Sequence, residues 1–228
     1  MTRTTKPRLV LFDLDHTLLP LDSDHGWGEF MIQLGWVDAT AFRHRNDAFY
    51  EDYKAGVLDM HAYVAFNMAP VVQRSPAEAQ AGLMAYMTQV IQPAVRPSAL
   101  ALVSEHRRAG DLMAIVTATN DWVTAPIVRA FGVDHHLATE LAVDPQGHPT
   151  GAIRGLPNLR EGKRARVLQW LRARGQTAAD FHITAYSDSS NDIPLLEMAD
   201  AAVVTNGSAE LKATAAERGW ATLDLFDH

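Results

Sequence analysis

Four short apolar runs punctuate the chain: Leu9-Val10-Leu11-Phe12, Met113-Ala114-Ile115-Val116, Ile183-Thr184-Ala185-Tyr186 and Ala201-Ala202-Val203-Val204. They lack the polar alternation of a half-exposed strand, and predict strands buried on both faces of a sheet. The segments between them carry helical spacing. Residues 99–108 place Leu100, Val103 and His106 along one stripe, and 123–131 place Ile127, Val128 and Phe131. Residues 163–174 gather Val167, Leu168 and Leu171 on one face, and 208–218 are rich in alanine. Strands alternating with helices of this length predict βαβ units, a parallel sheet and an α/β fold.

Residues 20–95 follow another pattern. Helical periodicity dominates, with breaks expected near Gly35, Gly56 and Pro70, and with Ser75-Pro76 as an N-cap and first-turn proline. Pro93 and Pro97 bracket the return of the α/β pattern. The expected organisation is a helical module of about four helices at 20–95, inserted into a discontinuous core of 1–19 and 96–228. A turn signal, Asp144 to Gly147, separates Leu141-Ala142-Val143 from Thr150-Gly151-Ala152-Ile153 and predicts a hairpin flap beside the sheet.

Composition narrows the chemistry. The 228 residues are 47% hydrophobic and 21% charged, the balance of a globular chain with room for a sizeable core. Cysteine is absent, which excludes disulfides, thiolate metal sites and a cysteine nucleophile. The net charge is −7, with no basic run, so a nucleic-acid partner is not expected. Five of the seven excess negative charges fall in 20–95, where nine acidic residues face four basic ones. The run at 9–12 is too short for a signal-peptide core, and no stretch approaches the roughly 20 apolar residues of a membrane span. A cytoplasmic protein without a membrane partner is the expectation. The sequence assigns no oligomeric state.

The polar residues that matter follow the predicted strands. Asp13 and Asp15 follow the first, Thr117 follows Ile115-Val116, and Asp188 and Asp192 follow Tyr186, while Lys163 starts a helix. Open α/β sheets bind ligands beyond the carboxyl ends of their strands, so these groups converge on one rim. Packed carboxylates repel unless a cation neutralises them. With oxygen donors and no cysteine, Mg²⁺ is the expected cofactor, leaving coordination sites for water and a substrate phosphate. A lysine and a hydroxyl beside it suit phosphate oxygens.

Asp13-Leu14-Asp15-His16-Thr17 resembles the DxDxT signature of haloacid dehalogenase (HAD) superfamily phosphatases, and Thr117, Lys163 and Ser187-Asp188-Ser189-Ser190-Asn191-Asp192 follow in the family's order. The helical insert resembles the C1 cap of the phosphoserine-phosphatase-like branch. The resemblance spans residues 13 to 192 and implies a Rossmann-like parallel-sheet core. It also implies roles. Asp13 is the expected nucleophile, passing through an aspartyl phosphate, and Asp15 the acid and base. Thr117 and Ala118 are expected to hold phosphate oxygens, and Lys163 to neutralise charge on Asp13 and the phosphoryl group. Asp13, Asp188 and the Asp15 backbone carbonyl are the implied metal ligands, with Asp192 and Asn191 behind them. Asp15 favours phosphoester chemistry over carbon–halogen cleavage.

Two motifs depart from the family. The fourth reads Ser-Asp-Ser-Ser-Asn-Asp where Gly-Asp-Gly-x-Asn-Asp is common, so that turn has less backbone freedom. Thr117-Ala118-Thr119 stands where phosphoserine phosphatases carry Ser-Gly-Gly. Those enzymes place an acid nine residues after the nucleophile to hold the substrate amine; here it is Asp22. No arginine for a substrate carboxylate occurs at 53–59. The stretch from Asp22 to Phe30, with Asp24 and Glu29, is similar to a branch that includes histidinol-phosphate phosphatases. The expected substrate is therefore a small amine-bearing phosphomonoester such as histidinol phosphate. Phosphoserine hydrolysis, phosphotransfer or mutase chemistry, and a non-catalytic binding module are the alternatives. Trp27, Trp36 and His135-His136 are read as packing residues. Neither P-loop spacing nor GxGxxG occurs.

Overall fold

Alternate side chains of β1 (Arg8–Phe12) enter opposite apolar layers, Leu9 and Leu11 one, Val10 and Phe12 the other. Each such burial contributes about 1.5–3 kcal/mol, and it makes β1 the central strand. The computed structural model describes residues 6–226. After β1 come α1 (Ser23–Gln33), α2 (Ala39–Lys54), α3 (Met60–Val72), α4 (Pro76–Tyr86), a π-helical turn (Met87–Ile91), α5 (Gln92–Ala94) and α6 (Pro97–Arg108). Then follow β2 (Leu112–Asn120), α7 (Asp121–Phe131), β3 (His135–Thr139), β4 (Leu141–Val143), β5 (Pro149–Ile153) and α8 (Glu161–Ala173). The chain closes with β6 (His182–Ser187), α9 (Ile193–Met198), β7 (Ala201–Thr205), α10 (Ala209–Arg218) and β8 (Ala221–Leu223).

Six strands form one parallel sheet in the order β3-β2-β1-β6-β7-β8. Val167 and Leu171 of α8, Leu195 and Leu196 of α9 and Leu211 of α10 cover the Leu9 face. Val103 of α6 and Val123, Ile127 and Phe131 of α7 cover the Phe12 face. Phe12 is in register with Ile115 of β2 and Tyr186 of β6, so three strand ends open onto one crevice where the strand order reverses. No helix among the described residues is long and apolar enough to cross a membrane.

The helical stretch between β1 and α6 is built on side-chain caps. Asp22, Asp38 and Asp59 accept the first free backbone N–H groups of α1, α2 and α3, and Ser75 with Glu78 forms a capping box at α4. The break expected near Pro70 is displaced: α3 runs on to Val72. Pro70 lies in the last turn, where a missing N–H removes only one late helix bond. Trp27 of α1 is fully buried, with its ring edge-on to Tyr86 of α4 (5.5 Å) and Trp122 of α7 (5.6 Å). These aromatics run the core without a break from the sheet into the helices.

The hairpin β4–β5 forms around Asp144, whose Oδ1 accepts the N–H groups of Gln146 and His148. It lies against α3, where Gly151, at φ +81°, brings the strand close to Met68 and Val72. The sequence reading did not anticipate β3 or β8. His136 in β3 meets Thr124 (2.8 Å), and His135 packs on Trp170 (ring centroids 5.0 Å).

Candidate active site

The pairing of β1 with β6 continues one residue past the strand, where Asp13 N–H donates to Tyr186 O (2.9 Å). The chain then folds tightly on itself, with Leu18 and Leu19 donating to Leu14 O and with His16 at φ +55°. Asn206 braces this turn by donating to His16 O (2.8 Å) and Thr17 O (3.2 Å). Asp13 is thereby buried at the mouth of the crevice.

Lys163 reaches Asp13 from α8. Its ammonium donates to Asp13 Oδ1 (2.7 Å) and Asp192 Oδ2 (2.6 Å), all three side chains being buried. Burial alone would push this ammonium down, but Asp13 and Asp192 outweigh it and hold it above the usual lysine range. The approach of α8 requires Gly162, because a Cβ there would stand 2.1 Å from Pro157 O. Ser187 Oγ donates to Asp192 Oδ2 (2.7 Å) and accepts Ser189 N–H (3.1 Å). The serines that replace glycines thus pin the fourth-motif turn with their hydroxyls.

Thr17 Oγ1 lies 3.2 Å from Asp13 Oδ2 and 3.1 Å from Asp188 Oδ1, and accepts Asp188 N–H (3.0 Å). One hydroxyl proton cannot satisfy both carboxylates. Burial, then Asp13 and Asp192, push the Asp188 carboxyl well above the usual range. Burial raises Asp192 to about 6 despite Lys163, and its Oδ1 is buried without a protein partner. Crowded carboxylates and an orphaned acceptor are oxygen donors that could hold a hard divalent cation such as Mg²⁺.

Opposite this group, β2 presents Thr117, Ala118 and Thr119 to the cleft. Thr119 N–H donates to Thr117 Oγ1 (3.2 Å). Asn158 donates to Thr117 O (2.7 Å) and Leu137 O (2.8 Å), and Thr139 Oγ1 to Ala118 O (2.7 Å), fixing the bend of this strand end. Asp15 bridges to the helices, accepting Ser23 N–H (2.8 Å) on Oδ1 and the Thr119 hydroxyl (2.8 Å) on Oδ2. Burial, then Asp22, raises its carboxyl to about 7, a group able to carry a proton near neutrality.

The helices complete the cleft. Asp22 and Asp24 enter from the start of α1, Phe49, Tyr50 and Tyr53 from α2, and Met60 and Tyr63 from α3. Asp24 is buried, and burial followed by Asp22 and Asp15 pushes its carboxyl well above the usual range. Among the described residues five aspartates line the cleft and no lysine or arginine does.

Asp13, Asp15, Thr117, Ala118, Asp188, Asp22 and Asp24 thus share one cleft, with Lys163 and Asp192 behind it. Glu29 does not join them; it pairs with Arg43 (3.0 Å) on the outer side of α1 and α2. Asn191 is also turned elsewhere, donating to Tyr53 O (3.0 Å) and accepting Arg160 Nε (3.2 Å), so it ties the end of α2 to the core. Sequence reasoning missed Thr17, Thr119, Asn158 and the tyrosines. Thr17 had a signal as the last residue of DxDxT, and Thr119 as the last residue of Thr117-Ala118-Thr119.

The haloacid dehalogenase-like hydrolase model matches residues 10–197. A histidinol-phosphatase of Neisseria meningitidis serogroup C is 39% identical over 95% of this chain and 98% of its own length. A protein of unknown function from Bordetella pertussis Tohama I is 46% identical, and its crystal structure superposes with a TM-score of 0.90 over 97% of this chain and 100% of that one. A phospho-aspartyl intermediate analogue of phosphoserine phosphatase shares the fold, at 18% identity and a TM-score of 0.65 over 97% of this chain and 95% of that one. The chain therefore belongs to the haloacid dehalogenase-like hydrolase family, as an enzyme of its phosphatase branch.

Proposed function

We propose that this phosphatase is Mg²⁺-dependent and hydrolyses a small, amine-bearing phosphomonoester of the histidinol phosphate type through an aspartyl phosphate on Asp13. The lining of the cleft carries this reading. Beyond the reacting groups the substrate meets Asp22, Asp24 and the rings of Tyr50, Tyr53 and Tyr63, with no arginine or lysine among the described lining residues. An ammonium or protonated heterocycle is favoured there by charge and by the aromatic faces. The carboxylate of phosphoserine would find no cation among these lining residues. The name and full-length match of the Neisseria relative support the same substrate.

The steps follow from the side chains. A carboxylate oxygen of Asp13 attacks phosphorus as the bond to the substrate oxygen breaks, and Asp15 gives that oxygen a proton. Water then attacks the acyl phosphate, Asp15 takes its proton, and Asp13 is released with inorganic phosphate. Lys163 holds Asp13 in one orientation and offsets its charge (2.7 Å). Thr117 and the chain at Ala118 orient the phosphoryl oxygens. Asp13, Asp188 and the Asp15 carbonyl would hold Mg²⁺, with Asp192 behind; the bound metal supplies charge neutralisation to the phosphoryl group. Residues 20–95 act as a cap on the core of 1–19 and 96–228, excluding bulk water.

Phosphate release from histidinol phosphate, phosphoserine, sugar phosphates and nucleotides, with and without Mg²⁺, tests this. Histidinol phosphate should give the highest kcat/KM, and only with metal. Faster turnover of phosphoserine would overturn the substrate, and metal-independent turnover the role of Mg²⁺.

A further inference from the structure

Asp15 is held from two sides by elements far apart in sequence. Ser23, at the start of α1, donates its backbone N–H to Oδ1, and Thr119, in β2, donates its hydroxyl to Oδ2, both at 2.8 Å. Thr119 is buried, and its own N–H meets Thr117 Oγ1. One residue thus contacts both the phosphate-binding threonine and the acid.

An amide N–H can only donate, whereas a hydroxyl can donate or accept. Oδ1 is therefore an acceptor in every state of Asp15, and a proton on this carboxyl sits on Oδ2. We propose that Thr119 is a positioning residue, whose hydroxyl holds Asp15 Oδ2 at the leaving oxygen so that proton transfer starts from that atom. This rests on Asp15 acting as the acid. As the phosphorus–oxygen bond breaks, the Oδ2 proton passes to the leaving oxygen and Asp15 becomes a carboxylate. The Thr119 hydroxyl then donates to an ionised acceptor, a stronger bond than it made before, so the contact tightens along the reaction. Because Ser23 opens the helix that also carries Asp24, the orientation of the acid depends on the placement of the cleft wall.

The test uses leaving groups. An alkyl phosphate needs a proton on its departing oxygen, whereas p-nitrophenyl phosphate releases a stabilised phenolate. The readout is kcat/KM, which covers only the steps up to leaving-group departure and excludes the shared hydrolysis of the intermediate. Thr119→Val, which keeps the shape and removes the hydroxyl, should lower kcat/KM for histidinol phosphate or phosphoethanolamine about 10- to 100-fold, while p-nitrophenyl phosphate stays within about threefold. Thr119→Ser should restore turnover of the alkyl ester, with unfolding curves checking that the variants fold. Equal losses on the two esters, or no rescue by serine, would overturn the positioning role and leave the phosphatase intact. A wild-type enzyme inactive on both esters would overturn the phosphatase reading and this inference with it.

Discussion

Asp15→Asn should stabilise the metal-free protein at neutral pH while removing its activity on alkyl phosphates. The folded protein raises this carboxyl from 3.8 to about 7, through burial first and Asp22 second. A group that binds its proton more tightly when folded favours folding below its unfolded pKa and loses that contribution as pH rises towards the folded value. Above pH 7 the full penalty is in force. At about 1.4 kcal/mol per unit the shift corresponds to roughly 4 kcal/mol. Asp15 opens partly onto the cleft, and water there screens it, so about 2 kcal/mol is the expected gain. Asparagine fits the site, since its oxygen can accept Ser23 N–H and its amide can donate to Thr119. For a chain of this size 2 kcal/mol raises Tm by about 4–8 °C. Melting curves with chelator present, from pH 4 to pH 8, check this. The gain should be full at pH 8 and vanish near pH 4. An equal gain at both ends, or none, would refute the argument that charge burial is responsible.

Lys163→Met leaves Asp13 and Asp192 buried without their shared cation, and should cost about 3–5 kcal/mol in urea unfolding along with all turnover. His136 is lowered from 6.5 to about 4 by burial and by Arg129, so the unfolded chain takes up its proton first and stability falls as pH drops through that window. His136→Gln should flatten the acid limb of the stability profile between pH 6.5 and 4. Mg²⁺ at a hundredfold over its Kd should stabilise the wild type by about 2.7 kcal/mol; Asp188→Asn should abolish this shift, and a shift unchanged in that variant would remove Asp188 from the ligand set.

The core was legible because its signal is local. Leu9 to Phe12 is buried on both faces, and an unbroken apolar run is the direct record of that environment. Asp13, Asp15 and Asp188 were found because a parallel sheet sends the residues after its strands to one rim, whereas Thr117 lies within β2, past the end of its pairing with β1. β3 escaped notice because it begins with two histidines, and β8 because it is a three-residue edge strand. Thr119 stands in the second motif, but its contact with Asp15, 104 residues away, is not legible there, and Asn158, 41 residues from Thr117, carries no sequence signal. Glu29 and Asp24 looked alike as acidic residues of one helix. They are five positions apart, so the helix turns Asp24 into the cleft and Glu29 out to Arg43. Asn191 was assigned by motif, and tertiary contact with Tyr53 and Arg160 decides its place instead.

The central claim is that Asp13 carries the phosphoryl group. Rapid quenching during turnover of histidinol phosphate, followed by intact-mass and peptide mass spectrometry, tests it most directly. A single acid-stable, base-labile phosphoryl adduct is expected on the peptide containing Asp13, absent from Asp13→Asn, which should also release no phosphate. Steady phosphate release by Asp13→Asn, or an adduct on another residue, would contradict it.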